Sequence, residues 1–199
     1  MSLCNTPDYD GQGLPYLLAK VVEEMLCSGC VSFALYPGLT TGCFEAIYAN
    51  ATDEIKQTYL PKLSTGQWSG TMCITESHAG SDVGAAKTKA IPRGDGSYSI
   101  EGNKIFITSG EHTMAENIIH FVLARLPDSP PGVKGLSTFV VPKFLVNKDG
   151  SLGERNKFEC ASIEHKMGIN GSCTCVMQFD GAQGWMVGAP NTGIQNMFV

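Results

Sequence analysis

The feature that most constrains this fold is a change in the spacing of apolar residues near Trp68. Before Trp68, apolar residues recur every three or four positions, as in Leu17, Leu18, Val21, Val22, Met25 and Leu26. This spacing is typical of amphipathic helices. After Trp68, short runs rich in Ile, Val, Phe and Thr alternate with turn residues, which is typical of strands. The chain therefore divides into a helical part and a β part.

The helical part is predicted to contain four segments. The first begins near Leu14, and the second spans residues 31–36, where Pro37-Gly38 interrupts it. The third covers residues 41–49. The fourth begins at Thr52, whose hydroxyl is a good N-terminal cap, and Pro61 is expected to end or bend it.

The β part consists of closely spaced strand-like runs: MCIT, KTKAI, SYSI, KIFIT, IIHFVLAR, STFVVP, FECASI and CTCVMQF. Asp95-Gly96 and Glu101-Gly102-Asn103 are interpreted as turns between them. Because no helical stretches separate the runs, they predict an antiparallel barrel or sandwich. The expected fold class is α+β, with an N-terminal helical segment followed by this β-domain.

Composition excludes several classes of function. The 199 residues are 43% hydrophobic and 17% charged, which suits a globular protein. A net charge of −5 argues against sequence-independent binding of nucleic acid. No apolar run approaches the roughly 20 residues of a membrane span, and no secretory signal is recognisable. We therefore expect a cytoplasmic protein whose eight cysteines stay reduced.

Two cysteine pairs have spacings that a metal or redox site could use. Cys27 and Cys30 are three positions apart, and Cys173 and Cys175 would share one face of a strand. The first pair lies in an apolar helical stretch, where cysteine usually acts as a small hydrophobe. Buried cysteine is the favoured interpretation, and a cysteine-based metal protein is an alternative.

The histidines do not predict a metal site either. His112, Glu116 and His120 are four positions apart, which would align them on a helix, but the run beginning at Ile118 predicts a strand. His78 and His165 lie in polar turns, where histidines are commonly solvated or hydrogen-bonded. No metal ligands are therefore assigned.

Two segments predict a ligand site together, although neither would do so alone. TMCITESHAGSD (71–82) and KIFITSG (104–110) both end a strand-like run in a hydroxyl residue with glycine just beyond. A planar cofactor with a polar edge could use the Thr75 hydroxyl, the Phe106 ring and the Thr108 hydroxyl. The small-residue loop 78–82 could admit a second ligand to the backbone.

These motifs resemble the acyl-CoA dehydrogenases. The resemblance rests on CITESHAGSD followed by FITSG, and on YLPKLSTGQW, GLSTFVVPKF and EHKMGINGSCTCVMQFDGAQGW. The longer segments look like the subgroup that includes 3-(methylthio)propionyl-CoA dehydrogenase. The resemblance implies an N-terminal helical domain (1–66), a middle β-domain (67–189) and the start of a C-terminal helical domain (190–199), most of which we expect to be missing.

The resemblance also implies the site residues. Met72, Ile74 and Thr75 would line the pyrimidine side of FAD, and Ser81 would contact its phosphate region. Phe106, Ile107 and Thr108 would pack beside the dimethylbenzene-to-N5 region, and Ser81 and Asp82 would lie near the acyl-CoA. Two residues depart from the family pattern: Ser77 stands where proline is usual, and Phe106 replaces the commoner tryptophan.

The activity that the resemblance implies is FAD-dependent α,β-dehydrogenation of an acyl-CoA, with electrons passed to an electron-transfer flavoprotein. Family members are usually homo-oligomers, and their catalytic base is a glutamate of the C-terminal domain. No residue here matches that glutamate, and neither Glu76 nor Glu111 is assigned its role. We therefore expect this chain to be inactive by itself. The alternatives are an acyl-CoA oxidase-like flavoenzyme and a non-catalytic module that binds acyl-CoA or flavin.

Overall fold

The computed structural model describes residues 2–198. Its helices are α1 (Tyr16–Asn50), α2 (Asp53–Thr65) and α3 (Gly193–Met197). Its strands are β1 (Trp68–Cys73), β2 (Lys89–Pro92), β3 (Tyr98–Thr108), β4 (Asn117–Arg125), β5 (Leu136–Pro142), β6 (Phe144–Val146), β7 (Leu152–Arg155), β8 (Phe158–Ile163) and β9 (Thr174–Val187). This α+β order confirms the predicted fold class. The predicted C-terminal segment reaches Val199, which lies outside the described residues.

Helix α1 breaks at a different place from the one predicted. The helix passes through Pro37, and its one non-helical residue is Cys30 (φ −161°, ψ 96°). The prediction of a break at Pro37-Gly38 is therefore wrong. Ser28-Gly29 precedes the kink, and Gly/Ser pairs are a common cause of sharp kinks. Pro37 removes only one backbone donor, and packing after the kink sustains the helix.

The two arms of α1 face each other across the kink. Together with nearby residues they line a small cavity of about 160 Å³, and its lining includes Val22 and Leu26 from the first arm with Pro37 and Thr41 from the second. The kink at Cys30 lies between the first and second predicted segments, whereas no break separates the second segment from the third.

Helix α2 starts as predicted but ends later. The Thr52 hydroxyl accepts a hydrogen bond from the Ile55 N–H at 3.5 Å, which confirms the predicted cap. The helix continues past Pro61 and ends at Gly66, which has a left-handed φ of 79°. Of the two outcomes predicted at Pro61, an end or a bend, the end does not occur there. Leu60 and Leu63, both fully buried, hold this turn against the core despite the missing N–H.

The main sheet closes into a barrel. β4 pairs with β5, β5 with β9, β9 with β3, β3 with β2, and β2 returns to β4 through Lys89 and Arg125. β8 adds to β9, and β1 adds to β4 in parallel. Most pairings are antiparallel, as predicted. The two-stranded sheet of β6 and β7 was not predicted.

Strand β3 is longer than the sequence suggested. Glu101-Gly102-Asn103 was interpreted as a turn, yet β3 runs through it with a register shift against β9 just after Ile100. Gly102 has a φ of 143°, and a Cβ there would lie 2.7 Å from the Thr88 Oγ1. The glycine therefore marks a bulge and a close approach of two strands, and the strand does not reverse.

Two apolar clusters form the core. One joins the second arm of α1, including Phe44 and Ile47, to α2 and the outer face of the barrel. The other fills the barrel with residues such as Ile100 and Phe179. Gly70 lets α1 approach β1, because a Cβ on Gly70 would lie 2.5 Å from the Cys43 Cβ.

The first arm of α1 (residues 16–29) lies outside both clusters. Its apolar stripe is largely exposed, with Leu17 at 76% and Met25 at 67%. In the described part of the chain, no helix is both long and apolar enough to span a bilayer.

Candidate functional site

The two segments that the sequence singled out lie side by side. The Ile105 N–H donates to the Thr75 carbonyl at 2.9 Å. The Lys104 ammonium donates to the Ile74 carbonyl at 3.0 Å. The loop that follows β1 is therefore bonded to β3 just before Phe106, and the ends of two strands present their residues at one place.

A buried ion pair holds these segments together. The Lys104 Nζ lies 2.9 Å from the Glu76 Oε1, and the two side chains are 0% and 5% exposed. Glu76 also accepts hydrogen bonds from the Thr88 hydroxyl (2.7 Å) and from the Thr88 and Lys87 N–H groups. Each charge thus has several partners, which a buried ion pair needs to offset its desolvation.

The surroundings of Glu76 keep it ionised. Burial would raise the pKa of its carboxyl, but the Lys104 charge and the hydrogen bonds outweigh burial and lower the pKa to about 2. Burial lowers the pKa of the Lys104 ammonium, and Glu76 counteracts that effect. The pair therefore works as a structural clamp beneath the candidate site.

Phe106 is held in an uncommon backbone conformation. Its φ is +60°, the left-handed region that bulky residues rarely adopt. The pairing of β3 with β9 shifts register between Lys104 and Ile107, so Phe106 lies in a bulge. Its side chain is 46% exposed, and the Lys166 ammonium lies 4.2 Å from the ring centroid. The bulge thus directs an aromatic ring toward the surface.

The other predicted cofactor residues differ in exposure. Met72, Ile74, Thr75 and Thr108 are half-buried. Ile107 is 1% exposed and its side chain belongs to the barrel core, so only its main chain is free to face a ligand. The assignment of Ile107 to the cofactor stays a prediction, and in this structure it would rest on the Ile107 main chain.

Ser81 and Asp82 are exposed on the loop between β1 and β2. The start of this loop is a tight turn in which Glu76 and Ala79 exchange two backbone hydrogen bonds of 3.0–3.1 Å. The His78 Nε2 lies 3.2 Å from the Ala85 carbonyl. Ser77 stands in this turn where the family usually has proline, and the paired backbone bonds limit the freedom that this change would add.

Sequence reasoning missed three residues of the site. Lys104 and Thr88 build the clamp, and the signal for Lys104 was a single charge inside an apolar strand run. The third is Thr174, which pairs with Thr108 across β3 and β9 and is 3% exposed. Its hydroxyl has no hydrogen-bond partner among the described residues. Paired residues of neighbouring strands point to the same side, so this hydroxyl lies on the side of Thr108.

Two of the histidines, His112 and His120, are hydrogen-bonded within the fold. His120 is buried, and its Nδ1 lies 2.7 Å from the Thr71 hydroxyl. The His112 Nδ1 accepts from the Met114 N–H at 3.1 Å, so its Nε2 donates to the Ser69 hydroxyl at 3.0 Å. Within residues 2–198, no group of three or more His, Cys, Asp or Glu residues is placed to hold a metal ion.

Cys27 and Cys30 are exposed on α1, on and beside the kink. The favoured prediction that they are buried core residues is therefore wrong. That prediction was based on the apolar content of residues 16–33. In the structure this stretch does not pack into the core.

Neither nearby glutamate is suited to act as a base. The Glu111 carboxylate binds Lys143 and lies 2.8 Å from an Arg155 nitrogen. Burial would raise the pKa of Glu111, but hydrogen bonds from both cations lower it. A carboxylate with a lowered pKa is a weak base at neutral pH. The pKa of Glu76 is lowered as well.

Family models agree with this architecture. The acyl-CoA dehydrogenase middle-domain model matches residues 71–182, and the N-terminal-domain model matches residues 1–67. The chain belongs to the acyl-CoA dehydrogenase family. The middle-domain match covers the barrel and both segments of the candidate site.

Curated relatives and solved structures show the same likeness. The 3-methylmercaptopropionyl-CoA dehydrogenase of Ruegeria pomeroyi is 48% identical over 100% of this chain and 34% of its own length. An acyl-CoA dehydrogenase from Bacillus anthracis, solved in complex with FAD, superposes with a TM-score of 0.81 at 25% identity, over 98% of this chain and 31% of that one.

A third likeness is to a chain from a structure described as the electron transferring flavoprotein of Acidaminococcus fermentans. It has a TM-score of 0.82 and 28% identity, over 98% of this chain and 48% of that chain. This chain therefore spans between 31% and 48% of the length of these relatives, and the activity of a whole enzyme is a matter for proposal.

Proposed function

We propose that this chain provides the flavin-facing part of an FAD-dependent acyl-CoA dehydrogenase that desaturates an acyl-CoA thioester between its α and β carbons. The observation that supports this proposal is the junction of two strand ends, where the Ile105 N–H meets the Thr75 carbonyl at 2.9 Å. This junction presents two threonine hydroxyls and an aromatic ring from separate parts of the chain.

The residues at the junction fit a flavin. An isoalloxazine has apolar faces and a polar edge, and the exposed Phe106 ring with the half-buried Met72 and Ile74 offers apolar contact. The Thr75 and Thr108 hydroxyls offer donors for the polar edge. FAD, when bound, supplies the acceptor for the hydride that leaves the substrate's β-carbon. The role of this chain is to orient the ring and donate to the charge that develops there.

The loop after the Thr75–Glu76 turn would hold the substrate. Ser81 and Asp82 are exposed there, and we assign Ser81 to the phosphate region of FAD and both residues to the neighbourhood of the acyl-CoA. The α-proton requires a base that this chain does not provide, because Glu76 and Glu111 are both engaged by cations. We assign the base to a further domain of the whole enzyme.

The electron acceptor and the assembly are also proposed. An electron-transfer flavoprotein is the partner that we favour, supported by the likeness to the Acidaminococcus fermentans structure. The whole enzyme is proposed to be a homo-oligomer. The division into residues 1–66, 67–189 and 190–199 stays a prediction.

The test is a titration of this chain with FAD, followed by flavin fluorescence and visible absorption. Phe106→Ala removes the exposed ring, and Phe33→Ala removes a ring of similar exposure (52% against 46%) from α1. We expect the first change to weaken FAD binding about fivefold, equivalent to about 1 kcal/mol of aromatic contact, and the second to leave it unchanged. Failure of the unaltered chain to bind FAD, or equal weakening by both changes, would contradict the proposal.

A further inference from the structure

A cluster of three free thiols lies where β9 begins, and the proposed function uses none of them. The Cys173 and Cys175 sulfurs are 3.2 Å apart. Cys160, on the neighbouring strand β8, lies beside Cys175. Cys175 is buried, whereas Cys160 and Cys173 are partly exposed. Because the three thiols differ in exposure, they are expected to differ in their reactivity with an oxidant.

We infer that Cys173 and Cys175 are a modification site, a dithiol that a hydroperoxide oxidises to a disulfide. In the first step the Cys173 thiolate attacks a peroxide oxygen, the O–O bond breaks, and Cys173 becomes a sulfenic acid. In the second step the Cys175 sulfur attacks the Cys173 sulfur, and the hydroxyl leaves with the thiol proton as water. With hydrogen peroxide, the two thiols lose two hydrogens and the oxidant is reduced to two waters.

Exposure decides the order of the two steps. The Cys173 thiol is partly exposed, and it lies 3.6 Å from the Glu111 carbonyl and 3.2 Å from the Cys175 sulfur. Burial raises the pKa of the Cys175 thiol, and the neighbouring Cys173 and Cys160 raise it further. Because the Cys173 sulfur is the more exposed of the pair and the raised pKa of Cys175 disfavours its reactive thiolate, Cys173 is oxidised first. Cys175 then resolves the sulfenic acid in contact with it.

The backbone permits this bond but strains it. Residues two apart on an extended strand have Cα atoms about 6.7 Å apart, near the upper end of the range of about 4.4–6.8 Å for disulfides. Strained disulfides have higher reduction potentials than structural ones. A hydroperoxide is therefore expected to form the bond, and a thiol reductant is expected to break it readily. Both properties suit a reversible modification.

The pair lies beside the strand that carries the candidate flavin surface, but its thiols face the other side of the sheet. Cys175 pairs with Ile107 across β3 and β9, and the Ser109 N–H donates to the Cys173 carbonyl at 2.7 Å. Because paired residues point to the same side, a disulfide would point into the barrel with Ile107 and away from Thr108. The inference itself rests on the thiol geometry and stands whether or not the chain binds FAD.

Peptide mapping tests the inference on the folded chain. Trypsin places Cys173 and Cys175 together in residues 167–199 and Cys160 in residues 158–166. The chain is treated with hydrogen peroxide, alkylated under denaturing conditions and digested for mass spectrometry. We expect peptide 167–199 to lose the mass of two hydrogens and to escape alkylation, and dithiothreitol to reverse both changes.

Cys173→Ser provides the decisive variant, because this position is only half-buried and the change is small. The rate at which Cys175 becomes resistant to alkylation should fall about tenfold or more, since the adjacent partner is lost. A Cys27→Ser, Cys30→Ser double variant removes two exposed thiols elsewhere and should leave that rate unchanged. Three results would overturn the inference: full alkylation of peptide 167–199, a disulfide that contains Cys160, or an unaltered rate in Cys173→Ser.

Discussion

The clamp of Glu76 and Lys104 and the first arm of α1 reverse the usual placement of charged and apolar residues. In the clamp, a lysine side chain is fully buried and each charge has several hydrogen-bond partners. In the first arm, leucine and methionine side chains are largely exposed. Residue type alone would predict that the lysine side chain is exposed and that the leucine and methionine side chains are buried.

The difference shows what decides burial in this molecule. Lys104 is buried because the Glu76 carboxylate and the Ile74 carbonyl replace the water that its ammonium loses. Leu17 is exposed because no described element of the chain packs over it. A buried charge depends on specific partners, whereas an apolar side chain depends only on coverage.

The largest expected effect comes from breaking the clamp. Lys104→Met leaves the Glu76 carboxylate buried without its cation, and the free energy of unfolding should fall by about 3–5 kcal/mol. Chemical denaturation followed by circular dichroism measures the change. Lys20→Met, at an exposed lysine of α1, is the matched control and should leave stability unaltered.

A second variant separates charge from packing. Glu76→Gln added to Lys104→Met removes the unpaired charge while its amide oxygen still accepts from Thr88. We expect the double variant to recover part of the lost stability. If the double variant were as unstable as Lys104→Met alone, the ion pair would not be the source of the effect.

A comparison of two leucines sharpens the contrast in packing. Leu60 on α2 is fully buried, whereas Leu17 on α1 is 76% exposed. Leu60→Ala should lower the free energy of unfolding by about 2–5 kcal/mol, through lost burial and a cavity. Leu17→Ala should change it by less than about 0.5 kcal/mol. A large loss from Leu17→Ala would mean that the first arm of α1 is covered in solution.

The smallest expected effect is a pH dependence that arises inside the barrel. Burial lowers the pKa of His120 to about 3, whereas an unfolded histidine has an ordinary pKa near 6.5. The unfolded chain therefore binds more protons between these values, and stability falls as the pH drops below about 6.5. The expected slope is about 1.4 kcal/mol per pH unit once the unfolded histidine is protonated.

Unfolding curves between pH 7 and pH 5 measure this slope before the Glu76 carboxyl contributes, since its unfolded pKa is near 4.5 and its folded value is about 2. His120→Gln should reduce the slope, and His165→Gln, at an exposed position, should not. A slope that survives His120→Gln unchanged would assign the effect to another group.

Local patterns predicted much of the secondary structure. The alternation of apolar and turn residues located β4, β5 and β9, because strands buried in a barrel need continuous runs of β-branched and aromatic residues. The Thr52 cap was also readable, since it depends on a hydroxyl three residues before the N–H that it binds. The same approach missed β6 and β7, which are only three and four residues long and contain no fully buried residue.

Proline and glycine residues, which often end helices or mark turns, suggested at three places a helix end or a turn that the structure does not contain. Pro37 and Pro61 lie inside helices, and Gly102 lies inside β3. Each residue weakens one local hydrogen bond or relaxes one steric limit, and packing across the core outweighs that local cost. The real break in α1, at Cys30, follows a Ser-Gly pair that the sequence reading interpreted only as part of a cysteine motif.

By itself the sequence determined that helices precede a β-domain, and it predicted that the segments 71–82 and 104–110 belong to one candidate site. These properties follow from periodicity and from local steric preferences, which act over a few residues. Only the tertiary structure decided that Lys104 and Glu76 join those strands, that Ile107 points into the barrel, and that the Cys173 and Cys175 sulfurs touch. Such facts depend on distances between side chains, which the closed barrel fixes.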